Sequence, residues 1–189
     1  MHASLLALDT IAALEAYADT HPAEAGRARA MIAFAGSVAD PFARTTRPGH
    51  FTGSAIVLDA SGRRALLVRH RFLGRWLQPG GHVDPGERPA DTALREAREE
   101  TGLSSIRPWP GREGALVDID THPIPPNPRK GEGPHVHHDL RFAFLADAQE
   151  TARAAVDEAS DVRWFPLAEA AAEAWRADIL PKLRALPPP

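Results

Sequence analysis

Residues 81–103 read GHVDPGERPADTALREAREETGL. The charged residues and glycines of this segment are regularly placed, in the pattern G-x5-E-x7-R-E-x-x-E-E-x-G. After Gly81, the fixed positions of the pattern are Glu87, Arg95, Glu96, Glu99, Glu100 and Gly102. No other stretch of the chain indicates a chemistry as directly.

The second half of the segment is predicted to be a helix from residue 89 to residue 101. Pro89 suits the first helical position, and Asp91 lies in the positively polarised first turn. Gly102 suits the left-handed residue that commonly ends a helix. Arg88 is a poor N-cap, so the first turn is less well defined than the last.

Two stripes run along this predicted helix. One is apolar (Ala90, Leu94 and Ala97) and the other is acidic (Glu96, Glu99 and Glu100). Like charges at this spacing destabilise a helix by about 0.2–0.5 kcal/mol per pair, and a divalent cation would relieve that cost. Carboxylate ligands favour a hard ion such as Mg²⁺ or Mn²⁺, which commonly also binds phosphates. The alternative is a solvated charged helix face, but the turns at residues 77–81 and 84–87 bring backbone and a further carboxylate toward the helix.

With these positions in place, the segment resembles the MutT-like Nudix box of the Nudix hydrolase superfamily. The match holds at each charged and glycine position, with Ala97 and Leu103 in the two aliphatic slots. The resemblance implies an α/β fold, the Nudix fold, in which a mixed β-sheet is sandwiched between helices. It also implies a pyrophosphohydrolase that splits a nucleoside diphosphate linked to another group X, with Mg²⁺ or Mn²⁺ as cofactor.

The resemblance also implies roles for individual residues. Metal ligands would be Glu96, Glu99 and Glu100, with the carbonyl of Gly80. Arg95 would orient Glu87. The base that takes the proton of the attacking water would be Glu96 or Glu99, because a carboxylate suits that role. For Arg95 a surface ion pair with Glu99 or Asp91 is the alternative.

Composition favours a globular enzyme and excludes several other classes. The formal charge of -3 provides no basic field for long nucleic acid, whereas a small phosphorylated substrate is compatible with it. The chain has no cysteine, which excludes disulfides, thiolate zinc sites and a cysteine nucleophile. Residues 1–20 lack the features of a signal peptide, and no stretch reaches the ~18 apolar residues of a membrane span. We therefore expect a cytoplasmic protein with no membrane contact.

Residues 1–48 differ from the remainder of the chain. Leu5, Leu8, Ala12 and Tyr17 follow a helical spacing, and residues 23–38 are predicted to form a second helix. The apolar face of this pair must pack either on the catalytic domain or on a second subunit, in a homodimer. The predicted organisation is a helical extension at 1–48, a Nudix domain at 49–186 and a tail at 187–189.

The rest of the chain alternates between strand and helix patterns. A hairpin with its turn at residues 59–62 is predicted, in which Leu66 and Val68 alternate with exposed positions. Predicted strands are 53–58, 65–69, 76–78, 116–121, 136–145 and 161–164, and predicted closing helices are 167–176 and 179–186.

Two of these strands carry a polar face. On the first strand the polar face contains Asp118, Asp120 and His122, and on the second it contains His135, His137, Asp139 and Arg141. A row of this composition is unusual for a plain surface strand, so a substrate-binding wall is the preferred interpretation. An exposed sheet face is the bland alternative. The His-x-His pair could also bind zinc, but only with a third ligand.

Other basic residues are candidate phosphate ligands. Arg69 ends a predicted strand and is a candidate for substrate binding, with an exposed basic residue at a strand end as the equal alternative. The proline-rich loop of residues 123–134 offers Arg129 and Lys130 to phosphate and Glu132 as a base. A non-catalytic binding or sensor module of the same fold is the second hypothesis, but such a module has no reason to keep mutually repelling carboxylates together.

Overall fold

The computed structural model describes residues 4–126, 131–155, 159–175 and 178–189. The helices are α1 Leu5–Thr20, α2 Ala25–Ser37, α3 Pro89–Thr101, α4 Leu167–Ala174 and α5 Ile179–Arg184, with a 3-10 turn at Pro22–Glu24. The strands are β1 Gly49–Asp59, β2 Arg64–His70, β3 Trp76–Leu77, β4 Gly80–His82, β5 Arg107–Pro108, β6 Leu116–Ile124, β7 His135–Ala146 and β8 Ala159–Pro166.

Helix α3 has the bounds expected from the sequence. Pro89 occupies its first turn, and Arg88 stands at the N-cap without a side-chain cap. Gly102 ends the helix in the left-handed region at φ 67°, and its N–H donates to the Arg98 carbonyl at 2.8 Å. Glycine adopts this conformation without the steric cost that a Cβ would add, so the helix ends at this residue.

The sheet is mixed, as the sequence predicted. Strands β1 and β7 lie side by side in parallel, in register from Gly49 with Val136 to Asp59 with Ala146. On one side of this pair β2 and β4 run antiparallel to β1, and β3 and β8 flank β2. On the other side β5 and β6 run antiparallel to β7.

Helices cover both faces of the sheet. Phe51 and Val57 of β1 lie in an apolar cluster with residues of α1, α2 and α3, whereas Ile56 and Leu58 lie in a second cluster with α4 and α5. This alternation follows from the two-residue period of a strand. The predicted sandwich of a mixed sheet between helices is confirmed.

Burial along β2 differs from the prediction. Ala65 and Leu67 were expected to be exposed, but the whole run from Ala65 to Val68 is buried. The cause is α4, which packs on the face that the prediction left open to solvent. Strands β4 and β5 were also missed, because two or three residues rich in glycine or proline show no strand periodicity.

Helices α1 and α2 pack on the sheet of the same chain. Leu14 of α1 and Met31 of α2 are fully buried in one cluster with Phe51, Ile119 and Leu140 of the strands. Of the two packing partners considered for this pair, the structure therefore shows the sheet. The domain boundaries at residues 48 and 186 remain a prediction. Within the described ranges, no helix combines the length and apolarity needed to cross a membrane.

Candidate active site

A close pairing between Glu87 and Arg95 joins the turn before α3 to the helix itself. The Arg95 Nε donates to Glu87 Oε1 at 3.1 Å, and Nη2 donates to Glu87 Oε2 at 3.0 Å. The Thr92 hydroxyl adds a third hydrogen bond to Oε2 at 2.7 Å. Burial tends to raise the pKa of Glu87, but these hydrogen bonds outweigh it and lower the pKa below its ordinary value. Glu87 is therefore held as a carboxylate.

The same guanidinium reaches the acidic stripe of α3. Its Nη1 donates to Glu96 Oε1 at 2.9 Å and to Glu99 Oε2 at 3.2 Å, while Nη2 donates to the His82 carbonyl at 3.2 Å. The pKa of Arg95 is raised above its ordinary value, chiefly by its hydrogen bonds to Glu87 and then by those to Glu96. A planar fork with several donors suits this arrangement better than an ammonium group would.

Two glycines in β4 allow close approach at this site. A Cβ on Gly81 would lie 2.3 Å from Glu96 Oε1, and a Cβ on Gly80 would lie 2.4 Å from Ser54 Oγ. Across the strand pair, a Cβ on Gly53 would lie 2.2 Å from the Pro89 carbonyl. The glycines therefore let the α3 carboxylate and the first turn of α3 rest directly on backbone.

The box carboxylates differ in exposure. The Glu96 side chain is 13% exposed and that of Glu99 is 59% exposed, whereas Glu100 is buried. In the described parts of the chain, one group of three possible metal ligands has all its ligand atoms within 4.8 Å of one another. It consists of His50, His135 and His137, and it does not include the box carboxylates. The box instead holds its carboxylates around Arg95.

The family comparison agrees with this geometry. The family model described as the NUDIX domain matches residues 50–183, which include the box, β7 and all of β1 except Gly49. This chain belongs to the Nudix family.

Curated relatives align with this chain over part of their own length. A probable DHNTP pyrophosphohydrolase of Lactococcus lactis is 36% identical over 97 residues, covering 51% of this chain and 55% of that protein. A CMP-5'-(N-acetyl-N-hydroxy-3-aminopropyl)phosphonate hydrolase of Streptomyces rubellomurinus is 38% identical over 126 residues, covering 63% of this chain and 53% of that protein. The chain thus spans about half the length of these relatives.

A solved structure gives the same fold. The Ap4A hydrolase of C. elegans superposes with a TM-score of 0.52 at 20% identity, covering 71% of this chain and 92% of that chain. At this identity the likeness shows the Nudix fold alone.

The polar face predicted for the Nudix sheet is present on β6 and β7. Asp118, Asp120 and His122 of β6 lie in register with Arg141, Asp139 and His137 of β7, respectively. The structure therefore brings these two sets together, with His135 next along the same face of β7. Arg69 is exposed on β2, which is separated from β7 by β1.

Several charged side chains on this polar face pair with one another. Arg141 is buried and donates to Asp118 at 2.8 Å, to Asp139 at 2.9 Å and to Asp120 at 3.3 Å. Burial alone would lower the pKa of Arg141, but the three carboxylates raise it above its ordinary value. The guanidinium therefore stays charged and fastens β6 to β7.

Asp139 is further enclosed by side chains that the sequence did not single out. Its Oδ1 accepts from Thr52 at 2.9 Å and from Ser54 at 2.7 Å, and its Oδ2 accepts from the Gln78 amide at 3.2 Å. The amide oxygen of Gln78 in turn accepts from Trp175 at 3.0 Å. Period-two spacing on β1 would have placed Thr52 and Ser54 on one face, but not Gln78 or Trp175.

A lysine from α5 completes the set at Asp118. Lys182 Nζ lies 2.5 Å from Asp118 Oδ1 and 2.8 Å from the Tyr17 hydroxyl, and it also pairs with Glu24. Burial, followed by the charges of Asp118 and Glu24, raises the pKa of Tyr17 above its ordinary value. Lys182 belongs to no recognisable motif in the sequence, because its partners come from distant elements.

Histidines from three strands meet at the starts of β1 and β7. The His50 ring centroid lies 4.8 Å from that of His137 and 5.1 Å from those of His135 and His82. Burial, more than the neighbouring charges, lowers the pKa of His50 and of His82 to about 4, and that of His137 to about 2. These rings are therefore neutral near pH 7.

The structure describes part of the proline-rich loop. β6 extends as far as Ile124, beyond its predicted end, and Arg129 and Lys130 lie outside the described residues. Glu132 accepts from Arg44 Nε at 2.6 Å, so its carboxylate is engaged in an ion pair.

Proposed function

We propose that this Nudix protein is a metal-dependent pyrophosphohydrolase that cleaves the diphosphate linkage of a small nucleotide-like substrate by attack of water at phosphorus. The observation that carries the proposal is the contact of one guanidinium, that of Arg95, with Glu87, Glu96 and Glu99 at once. This arrangement holds three carboxylates together beside α3.

The donor atoms of the box suit a hard divalent cation. Glu96, Glu99 and Glu100, with the Gly80 carbonyl, provide oxygen ligands of the kind that Mg²⁺ or Mn²⁺ prefers. The contact of Glu96 with the Gly81 backbone supports this fit, since it leaves no side chain between carboxylate and strand. Such an ion supplies neutralisation of the diphosphate oxygens and acidification of water.

Within this proposal the protein residues have distinct tasks. Glu96 and Glu99 are the candidates to accept the proton of the attacking water, and the exposure of Glu99 gives water access to it. Arg95 and Glu87 position these carboxylates. Arg95 already pairs with both Glu96 and Glu99, so a cation held by these residues would share their negative charge with the guanidinium.

The substrate-binding residues are proposed to divide in two. Arg69, Asp120 and His122 retain exposure and offer direct contacts to substrate. The buried residues of the same face stabilise it by pairing with one another; they are Asp118, Asp139 and Arg141. His135 and His137 lie between these groups and border the box at His82.

The substrate class is a phosphoric anhydride in a small molecule. The two relatives named above are described as hydrolases of DHNTP and of a CMP-linked phosphonate, so substrates that differ widely outside the phosphates are the appropriate panel. A cytoplasmic location and a homodimer remain predictions from the sequence.

The alternative function is a non-catalytic binding or sensor module. It is disfavoured because a module without turnover gains nothing from Glu96 and Glu99, which repel one another and must share the cation Arg95. A complete box with its orienting arginine favours the enzyme.

The proposal is tested with nucleoside di- and triphosphates, nucleotide sugars, ADP-ribose and dinucleoside polyphosphates, each assayed with Mg²⁺ or Mn²⁺. Glu99→Gln is expected to lower kcat on the best substrate by about 10²-fold or more. Glu173→Gln, which changes an exposed glutamate on α4, is the matched control and should keep wild-type activity. A wild type that is inactive on every substrate, or a Glu99→Gln variant as active as the control, would overturn the enzymatic proposal.

A further inference from the structure

A compact set of imidazoles lies on the opposite face of the sheet from α3. His50, His135 and His137, the histidine triad, each offer a ring nitrogen, and these nitrogens all lie within 4.8 Å of one another. The Nε2 atoms of His135 and His137 are 3.2 Å apart. Two nitrogens bound to one tetrahedral zinc, each at about 2.0–2.1 Å, are about 3.3 Å apart, so the observed spacing matches that of a shared ligand.

His50 is the member of the triad whose surroundings indicate a missing ligand. Its side chain is fully buried, and among the residues that the structure describes neither ring nitrogen has a hydrogen-bond partner. The Thr46 backbone lies near the His50 ring but outside hydrogen-bond geometry. Buried polar groups are normally paired, so an unpaired imidazole facing two others indicates a missing partner.

His135 is oriented as a ligand by the backbone. Its Nδ1 lies 2.9 Å from the Gly133 carbonyl, which can only accept, so Nδ1 carries the proton and Nε2 presents its lone pair. A hydrogen bond from the other ring nitrogen to a carbonyl is a common arrangement around metal-bound histidine. Neutral imidazole is the form that binds a metal.

A hydrogen bond between His135 and His137 is the competing explanation. Since Nε2 of His135 presents a lone pair, the proton would have to come from Nε2 of His137. That bond would account for the 3.2 Å contact, but it would leave both nitrogens of His50 unsatisfied. A bound cation accounts for all three rings together.

We propose that His50, His135 and His137 form a transition-metal site that takes Zn²⁺, in addition to the hard-cation site on the box carboxylates. Three imidazoles and no thiolate suit zinc among the common borderline ions, with a fourth position left to water or to the neighbouring His82 ring. This goes beyond the proposed function, which requires only the box. The ion would fasten the first residues of β1 to the first residues of β7.

The two sites adjoin but do not share ligands. Gly53 of β1 faces α3, and His50 points to the other face because side chains alternate along a strand. His82 connects them, since its carbonyl accepts from Arg95 at 3.2 Å while its ring centroid lies 5.1 Å from that of His137. Zinc binding is therefore expected to persist when the box carboxylates are changed.

The test is a zinc titration of the full chain after chelator treatment, with a chromophoric zinc indicator as competitor and millimolar Mg²⁺ present throughout. Wild type and Glu99→Gln are both expected to bind one Zn²⁺ per chain. His50→Asn and His137→Gln should each weaken binding by at least about tenfold. The matched control is His138→Gln, which changes the next histidine of β7 on the opposite face and should bind zinc as wild type does.

Two results would overturn the proposal: a wild type that binds no zinc, or triad variants that bind it as tightly as His138→Gln does. If the triad variants fail to fold, imidazole ¹⁵N NMR of wild type gives the answer independently. Zinc should then shift the resonances of the triad and leave that of His138 in place. Shifts confined to residues outside the triad would refute the site.

Discussion

A methyl group at residue 81 is expected to displace the Glu96 carboxylate. An ideal Cβ there would lie 2.3 Å from Glu96 Oε1, whereas ordinary contact begins at 3.4 Å, so this oxygen must retreat by about 1 Å. A misplacement of about 1 Å in an active site can cost ~10²-fold in rate. We therefore expect Gly81→Ala to lower kcat/KM about 100-fold on whichever substrate the panel identifies, and to weaken Mn²⁺ binding at the box.

The fold should tolerate the same change. The atom displaced is the end of a flexible side chain, and alanine in place of glycine restricts the unfolded chain by about 0.4–1 kcal/mol in favour of folding. The free energy of unfolding in urea is expected to stay within about 1 kcal/mol of wild type. Gly26→Ala, in open space on α2, is the control for a glycine-to-alanine change without a clash.

Steady-state hydrolysis and Mn²⁺ binding followed by electron paramagnetic resonance measure the two expected losses separately. If Gly81→Ala folds with wild-type stability and keeps both kcat/KM and Mn²⁺ affinity within about threefold, the placement of Glu96 against this backbone has no functional role. A variant that loses stability instead would show that β4 cannot accept the methyl group at all.

The remaining predictions concern stability. Gly53→Ala should cost about 1–3 kcal/mol in urea denaturation, because its Cβ would lie 2.2 Å from the Pro89 carbonyl; a neutral effect would contradict the close packing of α3 on β1. Arg141→Met should cost about 3–5 kcal/mol because it removes the cation paired with the buried Asp139 carboxylate. Arg163→Ala, at an exposed ion pair, should cost less than about 1 kcal/mol, and equal losses would refute the distinction. The folded pKa of Glu87 is lowered, so its contribution is present above the unfolded value of ~4.3 and is lost as pH falls through the folded value. Urea midpoints measured from pH 6 downward should therefore fall less steeply for Glu87→Gln, and parallel curves would contradict this.

The sequence predicted structure best where local rules alone determine the backbone. Helix α3 begins at Pro89 and ends before Gly102 because proline and glycine each set backbone geometry by themselves. Strand faces were also predictable, since Asp118 and Arg141 lie on the side that period two assigns to them. The β2 strand shows the limit of that rule, because its pattern cannot report that α4 covers the second face.

The missed features depend on residues far apart in the chain. A His-x-His pair needs a third ligand to suggest a metal, and His50 lies on β1, which joins β7 in space only through parallel pairing. The polar face was expected to be open to substrate, but Arg141 is buried among three aspartates. Strand periodicity identifies which residues share a face and does not show what covers that face. Lys182 has no sequence signal of any kind, since its role arises from the meeting of three elements.

The contact between Lys182 and Tyr17 also bears on how the chain reaches its native state. These residues are separated by 165 positions, and their ammonium and hydroxyl groups lie 2.8 Å apart. Contacts of such long sequence separation form late, after the intervening chain has given up its conformational freedom. During synthesis, Asp118 and Glu24 therefore acquire their shared cation, Lys182, only after α5 has been made.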